Sequence, residues 1–185
     1  LRSVVKLSGP LPVAVTQEYV LQIARGLDQA HNRGLIHRNV RPANLILDRA
    51  ADRVLITNWG VPAFWELAAG EAEAGPPVDV YWLGCTLYYL LTGEAPYGDQ
   101  TLKALMGHQE GPIPSIREFR GDIPRSLDSL FQRMLAKNPN DRPQVPLLMV
   151  TPLRKLAYAS AAGTSAPAIN GYPARSIFIG GDRVS

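Results

Sequence analysis

His37-Arg38-Asn39-Val40-Arg41-Pro42-Ala43-Asn44-Leu45 is the stretch on which the reading of this 185-residue chain turns. It joins two segments of different periodicity. Before it, Val20, Ile23, Leu27 and Ala30 recur at helical spacing, which predicts a long helix from about Val13 to Arg33. Gly34 follows as its C-terminal cap. After it, Leu45-Ile46-Leu47 and Val54-Leu55-Ile56-Thr57 are short β-prone runs separated by Asp48 to Asp52, a small hairpin. Fourteen residues beyond Asn44 stands Asn58-Trp59-Gly60.

Further out the pattern is mostly helical. Leu1 to Leu7 is a short amphipathic piece that stops at Ser8-Gly9-Pro10. Residues 61–77 have little periodicity and read as a loop. A second helix runs from about Pro77 to Thr92, closed by Gly93, and is apolar nearly all round, which predicts burial on every side. A third begins near Asp99, a good N-cap, and carries Leu102, Leu105 and Met106. A fourth follows Pro124, its stripe made of Leu127, Leu130, Phe131, Met134 and Leu135. No repeat is present. The expected division is one domain over residues 1–157 and a low-complexity, poorly ordered tail over 158–185.

Composition narrows the class. Hydrophobic residues make up 46% and charged residues 19%, enough apolar content for one proper core. The net charge is +3, and Arg25, Arg33, Arg38, Arg41, Arg49 and Arg53 are scattered, so no clustered nucleic-acid footprint is expected. The one cysteine, Cys85, excludes an internal disulfide and fits a reducing, cytoplasmic compartment; its apolar surroundings suggest a buried structural thiol. Val80 to Leu91 is too short for a bilayer core of ~30 Å, and no signal-peptide pattern opens the chain. His31 and His108 have no Cys or carboxylate at ligand spacing.

The quoted stretch resembles the catalytic loop of protein kinases, H-R-D-x-K-P-x-N-[LI]. Asn58-Trp59-Gly60 stands where that family has D-F-G. Asp79-Val80-Tyr81-Trp82-Leu83-Gly84 looks like the opening of the family's central buried helix, and Thr92-Gly93-Glu94-Ala95-Pro96-Tyr97 like the turn after it. Lys137-Asn138-Pro139-Asn140-Asp141-Arg142-Pro143 is similar to the family's K-D-P-x-x-R-P. Five matches in order, over roughly residues 1–150, are specific together, and their flavour is that of the eukaryotic-like serine/threonine kinases of bacteria. The implied fold is mainly α: a kinase-like C-lobe with one small β-hairpin, starting just after the hinge. The chain carries no G-x-G-x-x-G, so the N-lobe is expected to be missing from it.

The resemblance also assigns a degenerate site. Its catalytic positions fall on Asn39, where the family has the aspartate that takes the substrate hydroxyl's proton, and on Arg41, where it has lysine. A carboxamide has no useful basicity, and losing general-base help costs ~10²–10⁴ in rate. Cofactor and metal positions fall on Asn44 and Asn58, the latter replacing the aspartate that holds Mg²⁺. Asn58 offers only a neutral oxygen, so metal binding is expected to be weak or lost. ATP and Mg²⁺ are the family's cofactors; neither is firmly expected here. From Trp59 to Asp79 is only 20 positions, with no A-P-E, so Arg142 needs another partner, with Glu66, Glu71 or Glu73 in reach of the sequence.

The implied bracing role of His37 and the implied acceptance of loop N–H groups by Asp79 are structural. Trp59 is expected in the core, Trp65 exposed, and Tyr88-Tyr89 in the core or a lobe interface. Loss of both anions leaves Arg38 and Arg41 in a more positive pocket, which suggests metal-independent binding of a phosphate. The expected function is a pseudokinase-like module that binds a protein partner or its missing N-lobe. The alternative is a serine/threonine protein kinase with residual or unconventional activity when joined to an N-lobe. Without that lobe, exposed apolar surface predicts self-association.

Overall fold

In the computed structural model, residues 1–60, 75–98, 102–150 and 152–153 are described. The axis of the fold is the helix Pro76–Thr92. Pro76 and Pro77 occupy its first turn, where a missing N–H costs nothing, and Gly93 ends it in the left-handed region at φ 83. Val80, Leu83, Leu87, Leu90 and Leu91 along it are fully buried, which accounts for its near-uniform hydrophobicity.

In chain order the elements are α1 (Arg2–Ser8), α2 (Val13–His31), β1 (Leu45–Asp48), β2 (Arg53–Ile56), α3 (Pro76–Thr92), α4 (Leu102–Gln109), α5 (Ile116–Phe119) and α6 (Arg125–Met134), with short 3-10 turns at Pro42–Asn44, Pro139–Asp141 and Pro146–Met149. Helices α2 and α6 pack against α3, and the hairpin leans on α2. The interior is continuous: Val20, Ile23 and Leu27 from α2 join the buried residues of α3 and Leu127, Phe131 and Met134 from α6. Each such side chain contributes roughly 1.5–3 kcal/mol by leaving water. The strands pair antiparallel in the register Leu45↔Ile56, Ile46↔Leu55, Leu47↔Val54, Asp48↔Arg53. The Asp48 carboxylate accepts the N–H groups of Ala50 and Ala51 in the turn and the Arg53 Nε–H, which together hold its pKa below the usual range.

This is the mainly helical, one-hairpin architecture expected, with specific departures. Helix α2 ends at His31, and Asn32-Arg33-Gly34 forms the exit turn with Gly34 at φ 74. Met106, expected in the apolar stripe of α4, is 59% exposed, whereas Ala104 is buried and Leu105 half-buried. Trp59 is 39% exposed rather than core; its indole donates to the Ile56 carbonyl and sets an edge against buried His37. Cys85 is half-buried, not sealed in. Tyr88 is core, stacked 5.5 Å from Phe131. Helix α5 has too few residues to show periodicity; Ser115 caps it, and Asp128 of α6 accepts from the Ser115 hydroxyl and the Ile116 N–H. Of the loop expected over 61–77, Pro76 and Pro77 instead begin α3, and residues 61–74 lie outside the described residues, as do Trp65, the Asp99 cap and the tail over 158–185.

Candidate functional site

The loop His37–Asn44 is held from below by Asp79, in the first turn of α3 and fully buried. Its Oδ2 accepts the backbone N–H of His37 at 2.8 Å, and its Oδ1 accepts that of Arg38 at 2.6 Å. His31, the last residue of α2, donates from Nε2 to Oδ2 at 2.7 Å. Charge-assisted bonds of this kind are roughly twice as strong as neutral ones. They hold Arg38 at φ 64, a conformation that costs a residue with a Cβ on the order of 1–2 kcal/mol. Higher on α3, the Thr86 hydroxyl donates to the Val40 carbonyl at 2.8 Å.

The His37 ring braces the loop from within. Its Nε2–H donates to the Thr57 carbonyl at 2.9 Å, and Nδ1 accepts the Asn39 N–H at 3.1 Å. One nitrogen donates and the other accepts, so these partners fix a single tautomer. The ring ties the loop to the end of β2 and is fully buried, as its bracing role requires.

Three asparagines then form a chain of amides. Asn44 closes the 3-10 turn, and its backbone carbonyl accepts both the N–H and the hydroxyl of Thr57, each at 2.9 Å. Its side chain donates from Nδ2 to the Asn39 carbonyl at 2.9 Å. That bond turns Asn44 Oδ1 the other way, where it accepts from Asn58 Nδ2 at 2.9 Å. Asn58 sits at φ 62, a backbone region asparagine enters with little penalty. Asn39 and Asn44 are buried, whereas Arg41 is exposed and Arg38 half-buried beside them. The residues assigned from sequence to cofactor binding, Asn44 and Asn58, thus touch. Asn39 joins them through its backbone, and Arg41 lies at the rim.

Arg142 is enclosed on the other side of α3. Nε donates to the Ala136 carbonyl at 2.7 Å, Nη2 to that of Lys137 at 3.0 Å, and the guanidinium lies 4.6 Å from the Tyr81 ring centre. The acidic partners suggested for it, Glu66, Glu71 and Glu73, lie outside the described residues. Next to it, the Tyr81 hydroxyl bonds His108 Nδ1 at 2.7 Å. Burial, with the charge of Lys137 nearby, pushes the His108 imidazole down to about 4, so the ring that shares this bond is neutral at pH 7. Among the described residues no group of three His, Cys, Asp or Glu could hold a metal ion, and no helix is long and apolar enough to cross a membrane.

A helical lobe built on a buried central helix, with an H-R-N loop pinned to that helix by an aspartate and backed by one hairpin, is the C-terminal lobe of a protein kinase fold. In sequence and in fold the chain matches the C-lobe of bacterial serine/threonine protein kinases. It is 32% identical over 180 residues to the serine/threonine-protein kinase PknJ of Mycobacterium tuberculosis, covering 83% of this chain and 29% of that protein. To PknB of Mycobacterium leprae it is 34% identical over 166 residues, 78% of this chain and 26% of that protein. Among solved structures, the Mycobacterium tuberculosis PknI kinase domain superposes with a TM-score of 0.66 at 32% identity, covering 79% of this chain and 56% of that one. The chain therefore spans under a third of these curated relatives. No family model matches it.

Sequence reasoning missed the role of His31. Its carboxylate partner is 48 residues away, so no local spacing could reveal the pair. Thr57 and Thr86, whose hydroxyls seal the loop, were missed for the same reason.

Proposed function

We propose that this chain is the C-lobe of a pseudokinase-like serine/threonine kinase domain, a catalytically impaired module that acts by binding a protein partner. The observation that carries this is the amide chain Asn58–Asn44–Asn39, neutral throughout. Phosphoryl transfer depends almost wholly on positioning and electrostatic stabilisation, through a carboxylate that takes the hydroxyl proton and carboxylates that hold metal on the phosphates. Position 39 supplies an amide for the first task and position 58 an amide for the second. A hard divalent cation favours anionic oxygen, and this donor set offers none, so it does not fit Mg²⁺. Any phosphate group here would meet Arg41 and Arg38 instead.

The scaffold around the site is kept while its chemistry is not. Asp79, His37 and Thr86 hold the loop as a rigid feature, which suits a binding surface. Ile46 and Leu55, paired across the hairpin and 52% and 39% exposed, add apolar area beside it for a protein partner, its own N-lobe or another chain. A single half-buried cysteine suits a reducing, cytoplasmic compartment.

The test is transfer of labelled phosphate from ATP to a generic protein substrate by the full-length protein. It is run beside the double substitution Asn39→Asp, Asn58→Asp. The reading expects no transfer above background from the natural sequence. Steady turnover by the natural sequence, lost on Asn39→Ala, would instead support a working kinase with unconventional chemistry.

A further inference from the structure

The bond between Asn58 and Asn44 has a chemical meaning beyond lost activity. Asn44 Nδ2 is committed to the Asn39 carbonyl, so Asn44 must present its oxygen towards residue 58. Two facing oxygens would repel, and a cation between them would relieve that. Asn58 removes the need by presenting an N–H, at 2.9 Å, to that oxygen. The backbone of Asn44 is held by two bonds from Thr57 to its carbonyl, and Asn58, the exposed residue after that threonine, takes a left-handed conformation at φ 62 and reaches Asn44 with its side chain. The pair is a closed contact, not two ligands waiting for an ion.

We infer that the hydrogen bond from the Asn58 amide to Asn44 Oδ1 replaces the divalent cation as the cross-link between the loop and the end of the hairpin, so that the site is complete without metal. This rests on the reading of the loop as a degenerate phosphotransfer site and says what holds that site together. The asparagine at 58 then has a positive role. It supplies internally, and at all metal concentrations, the link that an aspartate would supply only when an ion was bound. A direct consequence is that Asn58→Asp places a carboxylate against Asn44 Oδ1. The cross-link then becomes conditional on metal.

The experiment measures the unfolding midpoint of the full chain, without nucleotide, in EDTA and in a Mg²⁺ or Mn²⁺ series. Bound Mn²⁺ is counted in parallel from its paramagnetic resonance signal. The natural chain is expected to be indifferent to both metals. Asn58→Asp is expected to unfold earlier in EDTA, to recover as metal is added, and to bind Mn²⁺ at least about tenfold more tightly than the natural chain. Asn44→Asp, which introduces an anion on the other side of the pair, is expected to gain Mn²⁺ as well and covers the case where Asn58→Asp does not fold. Binding of Mn²⁺ by the natural chain as tightly as by the variants, lost on Asn58→Leu, would overturn the inference. Absence of any gain in both aspartate variants would overturn it too. These outcomes are separate from phosphate transfer: a metal-binding natural chain with no transfer would sink the cross-link and leave the impaired-module reading standing.

Discussion

Asp79 Oδ1 accepts the backbone N–H of Arg38 at 2.6 Å and holds that residue at φ 64. The carboxylate is fully buried and also binds the His37 N–H and the His31 ring. A residue at the start of a helix thereby sets the shape of a loop 41 positions earlier.

Asp79→Asn keeps one acceptor but points an NH₂ group at donors. Leaving a buried, charge-assisted site part-satisfied costs on the order of 2–4 kcal/mol. The midpoint of urea unfolding should fall accordingly, and amide exchange at His37 and Arg38 should quicken more than in α6. An unchanged midpoint would remove Asp79 from its anchoring role.

At Gly84, α3 lies close against the end of α6. A Cβ built there would stand 3.0 Å from Met134 Cβ and closer still to Leu135 Cδ1, both fully buried. Gly84→Ala should therefore destabilise by about 1–3 kcal/mol through overpacking, despite the better helix propensity of alanine. Calorimetry reads this directly, and a rise in Tm would show that the contact yields.

His108 gives the fold a dependence on pH. Its folded pKa, pushed down to about 4, lies below the ordinary histidine value of about 6.5. Between those two values the unfolded chain binds a proton that the folded chain refuses. Stability is therefore whole above pH 6.5 and falls as pH drops towards 4, by on the order of 2–3 kcal/mol from this residue. Denaturant unfolding at pH 7, 5.5 and 4.5 should show a flatter acid slope for His108→Gln than for the natural chain. Parallel slopes would contradict the burial argument.

Much of the fold could be read in the sequence because its signals are local. The stripe Leu127-Leu130-Phe131-Met134, the double proline in the first turn of α3 and the glycines at 34 and 93 each mark an element by period or cap. What could not be read is long-range or too short to have a period. His31 and Asp79 meet across 48 residues, and α5 is a single turn stabilised by Asp128. Trp59 was expected inside because it stands where the family has phenylalanine, yet it is 39% exposed, with an edge against His37 and its N–H donated to the Ile56 carbonyl at the neighbouring strand end. At the candidate site, the identities Asn39, Arg41, Asn44 and Asn58 were legible. That Asn58 and Asn44 bond one another was not, because motif spacing does not say which end of an amide points where.

The hairpin face should be sticky when the chain is alone. Ile46 and Leu55 are directly paired and exposed. Light scattering at rising concentration should show association that Ile46→Glu with Leu55→Lys reduces, an exchange that also places opposite charges across the strands. A monodisperse monomer from the natural chain would remove this surface from consideration.

The central claim, a kinase C-lobe whose phosphotransfer site no longer uses metal, is tested most directly by thermal unfolding with ATP, first with Mg²⁺ and then with EDTA. The account predicts that the two curves coincide to within about 1 °C, whether or not ATP itself stabilises the chain through Arg38 and Arg41. A stabilisation that appears with Mg²⁺ and vanishes with EDTA would contradict it, and would mean that Asn44 and Asn58 still build a metal site.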